Sequence, residues 1–138
     1  MLEKLSHLHR LCFLDKNWTA ADFEDLQRSG AEVIFSDNSF IVWRVAADEA
    51  EIITIGVAPD ARRTGTATAL LRIMENEVRK VGVKKIFLEV AVTNQAAIGL
   101  YKRAGFTQVG TRSKYYLPPE ALAKGGDGVD GAIMQKDL

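Results

Sequence analysis

The stretch I-I-T-I-G-V-A-P-D-A-R-R-T-G-T-A, residues 52–67, decides the fold. A β-branched apolar run stops at Pro59, two arginines and a glycine follow, and a helical pattern begins at Thr66. Strand, turn and helix in that order aim several backbone N–H groups at one point, and the helix adds the positive end of its dipole. Such a point suits a pyrophosphate. Gly65 permits close approach because it has no Cβ, and Ala67 keeps the second approach point small. Alone, R-x-x-G-x-A also fits a tight turn with two solvated arginines, and both readings stand at this stage.

Upstream, Leu5, Leu8, Leu11 and Cys12 recur at helical spacing, so residues 2–14 open the chain as a helix. Thr19 reads as the N-cap of a second helix that Gly30 stops. Residues 31–36 and 39–47 form a hairpin around Asp37-Asn38, and 49–57 the next strand. Downstream, Ala67, Leu70, Leu71, Met74 and Val78 make one apolar stripe over 66–80, with Arg72, Glu75, Glu77, Arg79 and Lys80 on the wet side. Residues 86–92 are apolar on both faces, which predicts a central, covered strand. Asn94 caps a further helix ending at Gly105. Two strands, 106–116 and 129–137, close the chain as a hairpin. The pattern is α/β with a mixed sheet.

At 138 residues there is room for one domain, residues 1–138, and not for a second. Eighteen Lys and Arg balance eighteen Asp and Glu, so no global field draws the chain to nucleic acid or an anionic membrane. Cys12 is the single cysteine, which excludes an intramolecular disulfide and fits a reducing compartment. Its apolar helical setting favours a buried structural thiol over a reactive one. No apolar run nears the ~20 residues of a membrane span, and M-L-E-K-L-S-H-L-H-R lacks the apolar centre of a signal peptide. The expectation is a cytoplasmic protein, a monomer or homodimer. His7 and His9 point in different directions on their helix, and no Cys/His/Asp cluster has ligand spacing, so no metal is expected.

Glu89 interrupts I-F-L-E-V-A-V at 86–92. An ionised carboxylate in a covered strand costs several kcal/mol unless it is paired, neutralised or wet. It is either ion-paired with an arginine, brought by its register to a wet strand end, or placed as a general base in a solvent-lined cleft. Asn94 and Tyr101 lie seven apart on one helix face, about 10 Å along the axis. Asn94 as a pure cap and Tyr101 as an ordinary core residue beside Ala97, Ile98 and Ala104 are real alternatives to any role in chemistry.

Together with N-Q-A-A-I-G-L-Y-K-R-A-G-F at 94–106, the opening stretch resembles the GNAT family of acetyl-CoA-dependent N-acetyltransferases, most closely the RimI-type ribosomal-protein-alanine N-acetyltransferases. Residues 62–67 match the family's Q/R-x-x-G-x-G/A motif, and 97–106 match A-x-x-L-Y-x-x-x-G-F. The resemblance is strongest from 49 to 116. It implies a GNAT fold: a mixed, mostly antiparallel sheet with helices on both faces, and a bulge near Pro59 that splays two central parallel strands into a V. Acetyl-CoA would lie in that V, touching Ile55, Gly56, Val57, Arg62, Arg63, Thr64, Gly65, Thr66, Ala67, Thr68 and Asn94. Thr68 departs from the pattern, since RimI-type enzymes often carry Arg there, which implies weaker phosphate affinity. The family's first strand precedes its opening helix, and since Met1 falls about where that helix begins, the expectation is that this strand is missing or replaced.

The same resemblance implies that Glu89 is the base that deprotonates the acceptor amine and that Tyr101 assists the departing thiolate. Tyr115 and Tyr116 match paired tyrosines held over the substrate peptide, though they also read as a strand pair with one ring on each face. Trp18 falls in the family's peptide-facing loop, or anchors helix packing. The implied reaction is acetyl transfer to a protein N-terminal α-amine without a covalent intermediate. A small-molecule amine or lysine acceptor is the rival within the enzyme class, and a non-catalytic acyl-CoA sensor the rival outside it.

Overall fold

Strand β2 (Ser39–Ala46) is the axis of the first unit, Met1–Lys84. It pairs antiparallel with β1 (Glu32–Phe35) on one side and β3 (Glu49–Val57) on the other. The computed structural model describes residues 1–13, 18–113 and 129–138. The β1–β2 turn is tied by Ser36, whose N–H donates to the Ser39 carbonyl at 2.9 Å, and whose hydroxyl donates to Asn38 Oδ1 at 3.1 Å and lies 2.9 Å from the Ser39 hydroxyl.

Residues 39–43 of β2 are all buried. Side chains alternate along a strand, so both faces of β2 are covered. Phe40 and Val42 join Leu5 and Leu8 of α1 (Leu2–Cys12) and Phe23 of α2 (Ala20–Arg28) in one apolar cluster. Each such fully buried side chain contributes about 1.5–3 kcal/mol. Helix α3 (Thr66–Lys80) packs on β2 and β3 as well. Thr19 caps α2 as its sequence predicts: its hydroxyl accepts from the Asp22 N–H at 3.2 Å, while Asp22 accepts from the Thr19 N–H at 2.8 Å. That is a reciprocal capping box. Gly30 follows with φ +98°.

Three local expectations are corrected here. Val42 faces Thr54 but Trp43 faces Ile52, so the extra residue of the β2–β3 ladder is Ile53. Pro59 marks only the end of pairing, opening a 3-10 turn, Pro59–Ala61. Glu75, expected on the wet side of α3, is buried and lies 3.9 Å from Arg79. Cys12 is half-buried instead of fully buried.

The second unit, Lys85–Leu138, holds β4 (Lys85–Ala91), α4 (Gln95–Arg103), β5 (Thr107–Arg112) and β6 (Gly131–Asp137). β6 pairs antiparallel with β5, as the hairpin pattern predicts, and along its whole length with β4 too. The last strand in sequence is therefore the middle one of its unit. β4 alternates: Ile86, Leu88 and Val90 are buried, while Phe87, Glu89 and Ala91 are only half-buried. Its run of apolar residues had pointed to burial on both faces. One of those faces is partly open.

Candidate active site

The turn after β3 is unusual in its backbone. Arg62 is extended, with φ −72° and ψ 157°. Arg63 then takes φ +64° and Gly65 φ +82°, both left-handed. An arginine adopts that region at a cost of about 1–2 kcal/mol. Left-handed residues placed within a turn gather successive N–H groups into a concavity that favours an anion. Gly65 is also the N-cap of α3, and no side chain caps that terminus. A Cβ at Gly65 would meet nothing within 4 Å, so what the site requires of glycine is its conformation and an open approach.

Around this turn the side chains are ordered. The Thr64 hydroxyl donates to the Ala61 carbonyl at 2.6 Å and lies 2.7 Å from that of Thr66. Ala67 and Thr68 are half-buried in the first turn of α3. Arg62 turns back on its own chain: its Nε donates to the Val57 carbonyl at 3.0 Å, pinning the end of β3. The same guanidinium faces the Cys12 thiol, whose pKa is pushed up by burial and pulled partly back by Arg62. Gly56 has an inward reason to be small. A Cβ there would stand 2.7 Å from Phe40 Cζ and 2.9 Å from Cys12 Sγ. Ile55, next to it, is half-buried.

In the second unit, Glu89 lies on the half-open face of β4 with its side chain 19% exposed. Its Oε1 is 3.1 Å from Nε of Arg112 on β5. An ion pair with an arginine, one of the alternatives left by the sequence, is thus realised. Arg112 itself carries no motif that singles it out, because a register between strands far apart in sequence brings it to Glu89. Asn94 caps α4, its Oδ1 accepting from the Ala97 N–H at 3.2 Å. Tyr101, two turns along, is 6% exposed and meets Phe106 edge-on at 5.9 Å between ring centroids. Burial pushes the Tyr101 hydroxyl up from 10 to about 12.

Trp18 stacks on the buried His9 ring at 4.4 Å and meets Phe23 edge-on, so it anchors α1 to α2. The Ser6 hydroxyl holds its carbonyl at 2.6 Å. A shallow depression of about 400 Å³ lies beside it, lined by Asp22, Asp25 and Leu26. Tyr115 and Tyr116 lie outside the described residues. Among the described residues no group of three or more His, Cys, Asp or Glu is placed to hold a metal ion, and no helix is long and apolar enough to cross a membrane.

A family model described as the Acetyltransferase (GNAT) family matches residues 5–106. Over 78 residues the chain is 41% identical to a protein of Escherichia coli K12 named [Ribosomal protein bS18]-alanine N-acetyltransferase, covering 56% of this chain and 53% of that one. It is 37% identical over 110 residues, 80% of this chain and 63% of the relative, to the N-alpha-acetyltransferase RimI of Mycobacterium tuberculosis. The chain thus spans about half the length of the first relative and somewhat more of the second. The crystal structure of the ribosomal-protein-S18-alanine N-acetyltransferase from Escherichia coli superposes on 99% of this chain and 87% of its own, with TM-score 0.84 and 28% identity. The α/β fold is therefore the GNAT fold.

Proposed function

This chain belongs to the GNAT acetyltransferase family, and we propose that it transfers the acetyl group of acetyl-CoA to the α-amine of a protein N-terminus. The names of its relatives point to a ribosomal protein as acceptor. The observation that carries the donor side is the turn at Arg62–Thr66. It has two left-handed residues, an uncapped helix N-terminus and open space above Gly65. These features fit a diphosphate held by backbone N–H groups. With Thr68 where an arginine is common, the cationic share falls to the exposed Arg63. Arg62 serves this site by fixing the Val57 carbonyl and so the end of the strand the pantetheine would follow.

On the acceptor side Glu89 takes the proton that an ammonium must lose before it can attack a thioester. An α-amine has a pKa near 7.7–8.0 and a lysine side chain one near 10.4, so freeing the α-amine at pH 7 is easier by roughly 3 kcal/mol. A carboxylate base matches that smaller task. N–H groups near Val57 would polarise the acetyl carbonyl. Tyr101 would donate a hydrogen bond to the leaving sulfur.

Thiol release from acetyl-CoA tests the reading. The acceptors are short peptides starting with Ala, Ser or Met, N-terminally blocked peptides containing lysine, and spermidine. Turnover only with free N-termini, lost in Glu89→Gln, is the expected result. Release with spermidine or blocked lysine peptides instead would refute the N-terminal acceptor, and tight acetyl-CoA binding with no turnover would favour a sensor.

A further inference from the structure

The strand register of the second unit puts two rows of residues on one face. Directly opposed residues of antiparallel neighbours point the same way. Glu89, Ile133 and Gly110 therefore form one row across β4, β6 and β5, and Ala91, Gly131 and Arg112 form the next. In the second row only Arg112 carries a side chain longer than a methyl group. Outer strands of such a trio are roughly 9–10 Å apart, so a residue on β5 reaches one on β4 only if the strand between leaves a gap. Gly131 leaves it. The register sets Arg112 opposite that glycine, and its Nε lies 3.1 Å from Glu89 Oε1 on the far strand.

We propose that Arg112 is the positioning residue for Glu89, reaching it through the gap that Gly131 leaves in β6. The inference rests on the reading of Glu89 as the base. A glutamate has three rotatable side-chain bonds, and one that must meet an amine proton has to present its oxygen in one place. A fixed positive charge beside Oε1 holds the carboxylate toward β5 and so narrows where its other oxygen can point. Arginine suits this work because its guanidinium keeps its charge throughout. The proton that leaves the ammonium goes to Glu89, and Arg112 gains and loses none. Stability is a poor explanation for the pair, since the Arg112 side chain is 54% exposed and an ion pair so open to solvent contributes little to it.

The test compares Arg112→Met, Arg112→Lys, Gly131→Val and Glu89→Gln, with the double variant Glu89→Gln/Arg112→Met, in acetyl transfer to a short Ala-starting peptide. Melting temperature is followed in each. Arg112→Met and Gly131→Val should each lower kcat about ten- to a hundredfold while leaving KM for acetyl-CoA unchanged, and Arg112→Lys should recover part of the loss. Measured against the residual rate that Glu89→Gln retains in single turnover with excess enzyme, Arg112→Met should cost nothing further, because its partner is already gone. Gly131→Val keeps both charged residues, so it separates a blocked path from a lost charge. Wild-type kcat in Arg112→Met beside an inactive Glu89→Gln would overturn the inference and leave the base in place. An equal loss from Arg112→Met in both backgrounds would also overturn it. An active Glu89→Gln, or a wild type silent with this peptide, would remove the reading on which the inference rests.

Discussion

Tyr101→Phe removes one oxygen from a side chain that is 6% exposed and changes nothing else in its packing. The proposed role of that oxygen can be bounded by its proton affinity. Burial raises the hydroxyl to about 12, while a thiol titrates near 8.5, so complete proton transfer to a coenzyme A thiolate is uphill by about 5 kcal/mol. A hydrogen bond to the developing charge carries no such cost and is worth about 1.5–3 kcal/mol. Converted to a rate, Tyr101→Phe should lower kcat about 10- to 150-fold, with KM for acetyl-CoA little changed. A loss beyond about 10⁴-fold would exceed even general-acid catalysis and refute the hydrogen-bond role, and wild-type kcat would remove Tyr101 from the chemistry. The proton affinity has its own check. In a spectrophotometric titration of the folded protein, one of the three tyrosines should ionise only near pH 12, and that step should vanish in Tyr101→Phe. Completion of all tyrosine ionisation by about pH 11 would refute the premise. The linkage has a definite sign: because the folded state holds this proton more tightly, the associated stability is intact below pH 10. It is lost as pH climbs from 10 towards 12, by up to about 3 kcal/mol.

Gly56→Ala should lower stability in urea unfolding by about 1–3 kcal/mol, because the new methyl meets the fully buried Phe40 ring at 2.7 Å; an unchanged midpoint would contradict that packing. Gly65→Ala should cost about 1–2 kcal/mol and shrink the melting-temperature rise that acetyl-CoA gives the wild type. Gly65→Asn should be milder, since asparagine tolerates φ near +82° and no neighbour crowds the position. Cys12 should react with an aromatic disulfide reagent at pH 8 more slowly than a free thiol, because burial raises its pKa. Arg62→Met should slow it further, as a cation that favours its thiolate is then gone.

What was legible in the sequence is what local chemistry dictates. The stripe from Ala67 to Val78, the cap at Thr19 and the stop at Gly105 gave α3, α2 and α4 to within a residue or two at each end. What was not legible is registry between distant segments. Ile53 as the extra residue of β3 has no local signature, because I-I-T-I at 52–55 looks alike with or without a bulge, and only the pairing of Trp43 with Ile52 exposes it. Nor does anything in residues 131–137 announce that this last strand lies between β4 and β5. Gly56 shows the same limit from another side. The resemblance gives it to acetyl-CoA, while the structure adds an inward reason, the Phe40 ring, that lies sixteen residues upstream and could not be read from the motif.

Glu89 is where these limits bear on function. In the sequence its strength as a candidate came from its cost, a charge set in an apolar run. The structure removes most of that cost, since β4 is half-open on the Glu89 face and Arg112 stands 3.1 Å away. A carboxylate that is both paired and partly wet is affordable without any catalytic purpose. Burial therefore no longer discriminates between a base and an ordinary ion pair. The arrangement around it still does: an ordinary surface pair needs no glycine between its partners, whereas here the row linking Arg112 to Glu89's strand holds Gly131 and Ala91 and nothing bulkier. If the pair were only a surface contact, filling position 131 would change neither rate nor acceptor binding. If it aims a base, filling position 131 should slow acetyl transfer while both charges remain present.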